Sequence, residues 1–158
     1  MICRLLLFKN CNRNCELCCN KQFDLESLPI CKSYTPYSEV ILTGGEPLIN
    51  PSKVHEAITK VRKTYGGKIY LYTAKTDNIK ELSKIADRID GLTVTLHEES
   101  DIENFERFAR SYKKKRSFKL CVFEDVPFRN PPLGWNMKLI KWLEDCPLPP
   151  NEVFMRYE

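Results

Sequence analysis

The chain has 158 residues, of which 42% are hydrophobic, and its 25 basic and 21 acidic residues give a formal net charge of +4. This length suits one domain and is too short for two ordinary ones or for a complete eight-fold (β/α) barrel, which needs about 250 residues. The modest basic excess is a weak indication of a nucleic-acid partner and does not exclude one. No apolar stretch is long enough for an export signal or a membrane span, so we expect a cytoplasmic protein with no membrane contact.

Short apolar strands alternate with amphipathic helices along the chain. The predicted strands cover 2–8, 39–43, 68–73, 92–96 and 117–123, with a short final strand at 152–157. Helices are predicted from Asn50, from about Asp77 and from Asp101, because apolar residues recur at helical spacing after each of them. This order is typical of right-handed β-α-β units. It predicts an α/β fold, a partial (β/α) barrel with a mainly parallel sheet of about five to six strands.

From about residue 127 the composition changes to a proline-rich extension of the same domain, so that 1–158 forms a single unit. Within the extension, a short helix is predicted over 136–144. Trp135 and Trp142 have helical spacing, and we expect both to anchor this helix to the core.

Eight cysteines are many for a chain with no export signal, and three of them form a compact group. Cys11, Cys15 and Cys18 are spaced C-x3-C-x2-C directly after the first predicted strand. Thiolates are the usual ligands of iron–sulfur clusters, and three on one loop would leave one iron of a four-iron cluster open to another ligand. The alternative is a zinc site, for which Cys15 and Cys18 have suitable spacing.

The second predicted strand ends in Thr43-Gly44-Gly45-Glu46-Pro47. Together with the C-x3-C-x2-C group before it, this segment resembles the radical S-adenosylmethionine (SAM) superfamily, which has both motifs in this order. The resemblance implies that Cys11, Cys15 and Cys18 ligate a 4Fe–4S cluster, that SAM binds the open iron, and that Gly44, Gly45 and Glu46 receive the SAM amino group. Glycine lets the backbone approach a ligand closely, and a carboxylate or carbonyl oxygen can accept hydrogen bonds from an ammonium.

The resemblance also implies a reaction. A one-electron reductant such as a flavodoxin or ferredoxin would reduce the cluster, and SAM would be cleaved to methionine and a 5′-deoxyadenosyl radical that abstracts hydrogen from a substrate. The substrate is not identified by the sequence and could be a small molecule, a peptide or a protein. Leu17 stands where the family commonly has an aromatic residue, which weakens the usual expectation for how adenine is held.

Polar residues at the ends of later strands are candidates for contacts with the ribose of SAM or with substrate, because ligands of parallel sheets bind at the carboxyl ends of the strands. These candidates are Thr73, Thr95 and His97. Ordinary β-propensity explains the two threonines equally well. A hydrogen-bonded strand-end histidine is an equal alternative for His97.

Two other functions stay open at this point. Asn20, two places after Cys18, resembles an arrangement in activating enzymes of glycyl-radical proteins, although these usually have more residues before the cysteine group. A non-catalytic iron–sulfur or zinc binding module is the alternative from a different class. Cys3 lies within a predicted strand and should be a buried free thiol, as should Cys121. A second metal site is left open for the scattered cysteines Cys19, Cys31, Cys121 and Cys146.

Overall fold

A computed structural model describes residues 1–8, 24–142 and 148–158 of the chain. The strands are β1 (Ile2–Leu6), β2 (Glu39–Thr43), β3 (Lys68–Thr73), β4 (Gly91–Leu96), β5 (Ser117–Phe123), β6 (Trp135–Ile140) and β7 (Glu152–Arg156). The helices are α1 (Pro51–Arg62), α2 (Ile79–Ala86) and α3 (Asp101–Ser111), with short 3-10 helices at Leu25–Ser27 and Pro47–Ile49. None of these described helices is long and apolar enough to cross a membrane.

The seven described strands join in one parallel sheet with the order β6-β5-β4-β3-β2-β1-β7. From β1 to β6 each strand lies beside the next one in the chain. This is the progression of a (β/α) barrel, because a doubly wound sheet reverses its order at a switch point. The predicted α/β class with a parallel, partial barrel sheet is confirmed, and the sheet has seven strands because residues 135–140 add one.

One face of the sheet packs against the helices and forms the core. Its strand residues are fully or almost fully buried, among them Leu5, Leu42, Leu71, Val94 and Leu120. The other face, which we call the inner face, is more polar. A cavity of about 80 Å³ on that face is lined from β1, β2, β3, β4, β5 and β7. These six strands would span about 24 Å if flat, so one small cavity reaching all of them indicates that the sheet curves around its inner face.

An ion pair and two ring contacts cross the inner face near β1. The Arg4 side chain lies 2.6 Å from a carboxylate oxygen of Glu152, which joins β1 to β7. Its guanidinium carbon lies 5.5 Å from the ring centre of Tyr72 on β3 and 5.7 Å from that of Phe154 on β7. A cation over aromatic faces is stabilised by the ring quadrupole. Arg4 therefore links three strands on the concave side.

Most predicted elements agree with the structure. The bounds of β2, β3 and β5 are those predicted, and α1 begins after Asn50, whose side chain accepts a 3.2 Å hydrogen bond from the Lys53 amide. The cap of α2 is Asn78 rather than Asp77, because the Asn78 side chain accepts from the Glu81 amide. A side-chain oxygen before a helix satisfies an amide that has no partner within the helix.

The helix predicted over 136–144 is wrong, because residues 135–140 form β6. Trp135 and Met137 pack toward the core while Lys138 is exposed, which is the two-residue period of a strand. The helical spacing of Trp135 and Trp142 is therefore misleading. Trp135 is a core residue of a strand, and Trp142 follows that strand with 37% of its surface exposed.

Candidate cofactor site at the carboxyl ends of the strands

The carboxyl ends of β1 and β2 lie side by side at one edge of the sheet. Leu6 pairs with Thr43, and the Leu7 amide donates a 2.9 Å hydrogen bond to the Thr43 carbonyl. Residues 9–23 follow directly after this point, and Gly44 directly follows Thr43. The proposed ligands Cys11, Cys15 and Cys18, together with Asn20, lie outside the described residues. Leu6 and Leu7, which precede that segment in the chain, lie against the diglycine turn.

Gly44 and Gly45 form a turn that suits glycine. Their φ angles are +89° and +61°, in the left-handed region that residues with a Cβ rarely adopt. A Cβ built on Gly44 would lie 2.8 Å from the Cα of Leu6 and 3.0 Å from the Leu7 nitrogen. Glycine at position 44 therefore lets the turn lie directly against the end of β1.

Glu46 is 3% exposed and its carboxylate is an internal hydrogen-bond acceptor. Oε1 accepts from the Thr73 hydroxyl at 2.5 Å and from the Leu48 amide at 3.0 Å. Oε2 accepts from the Ala74 amide at 2.8 Å. These three bonds join the end of β2 to the end of β3 and cap the 3-10 helix Pro47–Ile49. Glu46 thus fixes the position of the turn.

The backbone of the turn offers further acceptors. Within the described part of the chain, the carbonyls of Gly44 and Gly45 receive no backbone hydrogen bond from a neighbouring loop. A carbonyl oxygen has two lone pairs and suits an ammonium donor. These two carbonyls are better candidates for the expected contact with an amino group than the Glu46 carboxylate, because that carboxylate already accepts three hydrogen bonds from within the protein.

The structure separates the two threonine candidates. Thr73 is buried, donates to Glu46, and its hydroxyl oxygen accepts a 3.0 Å hydrogen bond from the Lys75 amide. Thr95 lies on the inner face, because its neighbours along β4 are buried in the core, and it pairs with Cys121. Thr73 therefore belongs to the support of the turn, whereas Thr95 faces the concave side of the sheet.

His97 follows β4 and belongs to an aromatic cluster with Phe123 and Trp142. Its ring centre lies 5.2 Å from that of Phe123 and 5.7 Å from that of Trp142, and these two rings stack at 3.9 Å. The amides of His97 and Glu98 donate to Asp101 Oδ2 at 2.9 and 3.1 Å. The segment between β4 and α3 is thereby fixed from both backbone and side chain.

Sequence reasoning missed Asp101 and Trp142 as parts of this edge. The sequence could have identified Asp101, because it is an acidic residue at the start of a predicted helix that closely follows a strand. The sequence gives no indication of the role of Trp142, because this residue comes from a different part of the chain and its spacing predicts a helix.

A surface ion pair completes the electrostatics of the β3 end. The ammonium of Lys75 lies 2.7 Å from Asp77 Oδ1. Its hydrogen bonds lower the pKa of Asp77, against the opposing effect of partial burial. The Asp77 carboxyl is therefore ionised at neutral pH, and its contact with Lys75 stabilises the loop before α2.

The described cysteines are Cys3, Cys31 and Cys121, and all three are free thiols. Cys3 is buried, as predicted, whereas Cys121 is only partly buried, because it lies on the inner face of β5. Burial raises the pKa of each, so they are protonated near neutral pH. Across residues 1–8, 24–142 and 148–158, no three or more His, Cys, Asp or Glu side chains are grouped to hold a metal ion. Cys19 and Cys146 lie outside those ranges, so a second metal site that uses them stays a prediction.

Comparisons with protein-family models, curated proteins and solved structures found no match to this chain. The fold by itself does not identify an activity, because parallel α/β sheets support many different reactions. The function is therefore inferred from the two motifs and from the geometry of the edge where β1 and β2 end.

Proposed function

We propose that the chain is a radical SAM enzyme, with a 4Fe–4S cluster ligated by Cys11, Cys15 and Cys18 and with SAM at the open iron. One observation carries the proposal. The cysteine segment follows β1, which ends in register with β2, and the turn after β2 lies so close to β1 that a Cβ on Gly44 would be 2.8 Å from the Leu6 Cα. This contact between Leu6, which precedes the cysteine group in the chain, and the diglycine turn supports the proposal.

The residues at this edge fit such a cofactor pair. Three thiolates are the right donors for an iron–sulfur cluster that keeps one iron open. Gly44 and Gly45 have no side chains, so a ligand can approach their backbone closely, and a carbonyl oxygen can accept a hydrogen bond from an ammonium. When bound, the cluster and SAM supply the reductive cleavage of a carbon–sulfur bond, which yields methionine and a 5′-deoxyadenosyl radical for hydrogen abstraction.

The chain's own residues would position the cofactor and shield the site from water. Glu46 and Thr73 hold the turn rigid through their hydrogen bond, so the carbonyls need no reorganisation when a ligand arrives. The aromatic cluster covers the ends of β4 and β5 with apolar surface. A substrate would enter over the inner face, and exclusion of water there would protect a reactive intermediate.

The proposal includes an electron donor and a compartment. A one-electron reductant such as a flavodoxin or ferredoxin would donate an electron to the cluster. A reducing cytoplasm would keep the cysteines free of disulfides and available as thiolate ligands. The substrate class stays open among small molecules, peptides and proteins.

Anaerobic reconstitution with iron and sulfide tests the proposal. We expect broad visible absorbance, iron and sulfide in the ratio of a 4Fe–4S cluster, and 5′-deoxyadenosine from SAM and dithionite, detected by mass spectrometry. Cys15→Ala should abolish all three results. Cys31→Ala is the matched control, because it removes a thiol that lies outside the cysteine group, and it should leave them unchanged.

A different outcome would replace the proposal. Bound zinc without visible absorbance in protein purified without oxygen would indicate the non-catalytic binding module. A cluster that forms but yields no 5′-deoxyadenosine with SAM and dithionite would equally count against the enzyme.

A further inference from the structure

The inner face of β4, β5 and β6 carries a polar surface of which only Thr95 is among the candidate contacts to SAM or substrate. We call it the inner patch, and its members are Thr93, Thr95, Lys119, Cys121, Asn136 and Lys138. Leu120 and Val122 are completely buried on the helix side, so the residues between and before them face the other way. Lys119 also lines the small cavity of the inner face, which confirms its side.

The strand register arranges the inner patch in two rows. Thr93, Lys119 and Asn136 form one row, and Thr95, Cys121 and Lys138 form the next row toward the carboxyl ends. Lys119 and Lys138 are therefore diagonal neighbours on adjacent strands, with Cα atoms about 8 Å apart from the usual strand spacing and rise. Long side chains span such diagonals, so both ammonium groups can reach one small anion between them.

These two lysines differ from many others in their electrostatic surroundings. Several lysines have a carboxylate within 4.0 Å, as Lys114 has Asp87 at 2.8 Å. Among the described residues no such partner exists for Lys119 or Lys138. Burial raises the pKa of the Cys121 thiol, and the positive charges of both lysines oppose that rise. The inner patch is therefore a surface of uncompensated positive charge.

Elsewhere on the described inner face, no carboxylate pairs with Lys119 or Lys138. Glu39 and Glu152 line the cavity at the amino ends of β2 and β7, and Glu152 is already paired with Arg4. Lysines on a sheet edge also hinder pairing with another sheet, which would explain Lys138 on the edge strand β6. It does not explain Lys119, because β5 has a neighbour on both sides.

We propose that the inner patch binds an oxyanion group, a phosphate or a carboxylate, of the molecule on which the enzyme acts. Lys119 and Lys138 provide the charge. The hydroxyls of Thr93 and Thr95 and the Asn136 amide provide neutral donors to the remaining oxygen atoms. The assignment of the bound molecule as substrate rests on the proposed radical SAM function, whereas anion binding by the inner patch does not.

Titration of the full chain with inorganic phosphate, and separately with acetate, tests the proposal by amide chemical shifts at constant ionic strength. We expect saturable shifts at the inner patch with one or both anions, and the stronger one identifies the preferred group. Lys119→Gln or Lys138→Gln should each weaken binding about threefold to fivefold, because exposed ion pairs are screened by solvent. The corresponding arginine variants should retain binding.

The matched control is the double variant Lys80→Gln with Lys115→Gln, which removes two exposed positive charges elsewhere and should bind like the wild type. Shifts that do not saturate, or an equal loss in the control, would overturn the proposal. Neither titration needs a cluster or SAM. The deoxyadenosine assay of the wild type therefore judges the proposed function separately from the inner patch.

Discussion

Gly44 satisfies two requirements at once, a left-handed backbone and contact with the end of β1. Gly44→Ala should lower the free energy of unfolding by about 2 kcal/mol, because a left-handed L-residue costs roughly 1–2 kcal/mol and the new methyl group meets Leu6 backbone. Urea unfolding followed by circular dichroism measures the change. Gly66→Ala is the control, since a Cβ there meets nothing within 4 Å. Equal costs for both variants would contradict this account.

The hydrogen bond between Glu46 and Thr73 can be measured by a double-mutant cycle. Glu46→Gln replaces one accepting oxygen with a donor, which leaves a buried donor of the β3 end without its partner and should cost about 1–3 kcal/mol. Thr73→Val replaces the hydroxyl with a methyl group of similar size, which removes the donor to Glu46 and the acceptor of the Lys75 amide. The coupling from denaturant unfolding of both single variants and the double variant should be about 1 kcal/mol. Strictly additive effects would show that the two side chains act independently.

The sequence predicts which residues lie at the carboxyl-end edge of the sheet. It predicts less well which atoms each of these residues contacts. Gly44, Glu46 and Thr73 follow or end neighbouring parallel strands, so their common location could be predicted. The bond from the Ala74 amide to Glu46 could not, because it depends on the path of the loop after β3. The tilted ring contact of His97 with Trp142 joins residues that are far apart in the chain, and no local pattern relates the two.

At the scale of the element, β6 makes a prediction about burial, because one face of this strand is buried at its start and exposed near its end. Trp135 stacks on Phe118 at 4.6 Å and contacts Phe105 edge-on at 4.8 Å, so Trp135→Ala should cost about 3–5 kcal/mol of unfolding free energy. Leu139 lies on the same strand and is 43% exposed. Leu139→Ala should therefore change stability by less than about 1 kcal/mol. Thermal and urea unfolding compare the two variants, and similar costs would contradict the difference in burial between these two residues.

The contrast between β6 and the other strands shows what limits prediction of elements. After one charged residue, β2 and β3 are continuous apolar, aromatic or β-branched runs, and Lys119 is the single charged residue of β5, which makes the bounds of these strands visible. In β6, by contrast, Asn136, Lys138 and exposed Leu139 interrupt the apolar pattern, and two tryptophans happen to recur at helical spacing. Pairing with β5 decides the conformation there, and that interaction is not local.

For the whole molecule, the charge pattern predicts acid sensitivity. Hydrogen bonds from Lys75 and Lys114 lower the pKa values of Asp77 and Asp87. At Asp90, burial opposes the shift, but bonds from the Ile69 amide and Arg62 outweigh it and lower the pKa. A carboxyl whose pKa is lower in the folded state stabilises the fold above its unfolded value, about 3.9, and that contribution is lost as the pH falls through the folded value.

We therefore expect the free energy of unfolding to decline as the pH falls below about 4, measured by urea unfolding between pH 6 and pH 2. Asp90→Asn should flatten this decline, because it removes one of the shifted carboxyls. Asp125→Asn, at an exposed position, removes the same formal charge and should leave the slope of the wild type. An unchanged slope in Asp90→Asn would assign the acid sensitivity to other groups.

The position of β7 beside β1 has a consequence for biosynthesis. While the nascent chain is still on the ribosome, β1 can pair with β2 early, but its other side stays open until residues 152–156 have been translated. The strand that precedes the cysteine segment thus receives its second neighbour last. Pairing on that side of β1 is therefore complete only after every other strand of the described sheet has been synthesised.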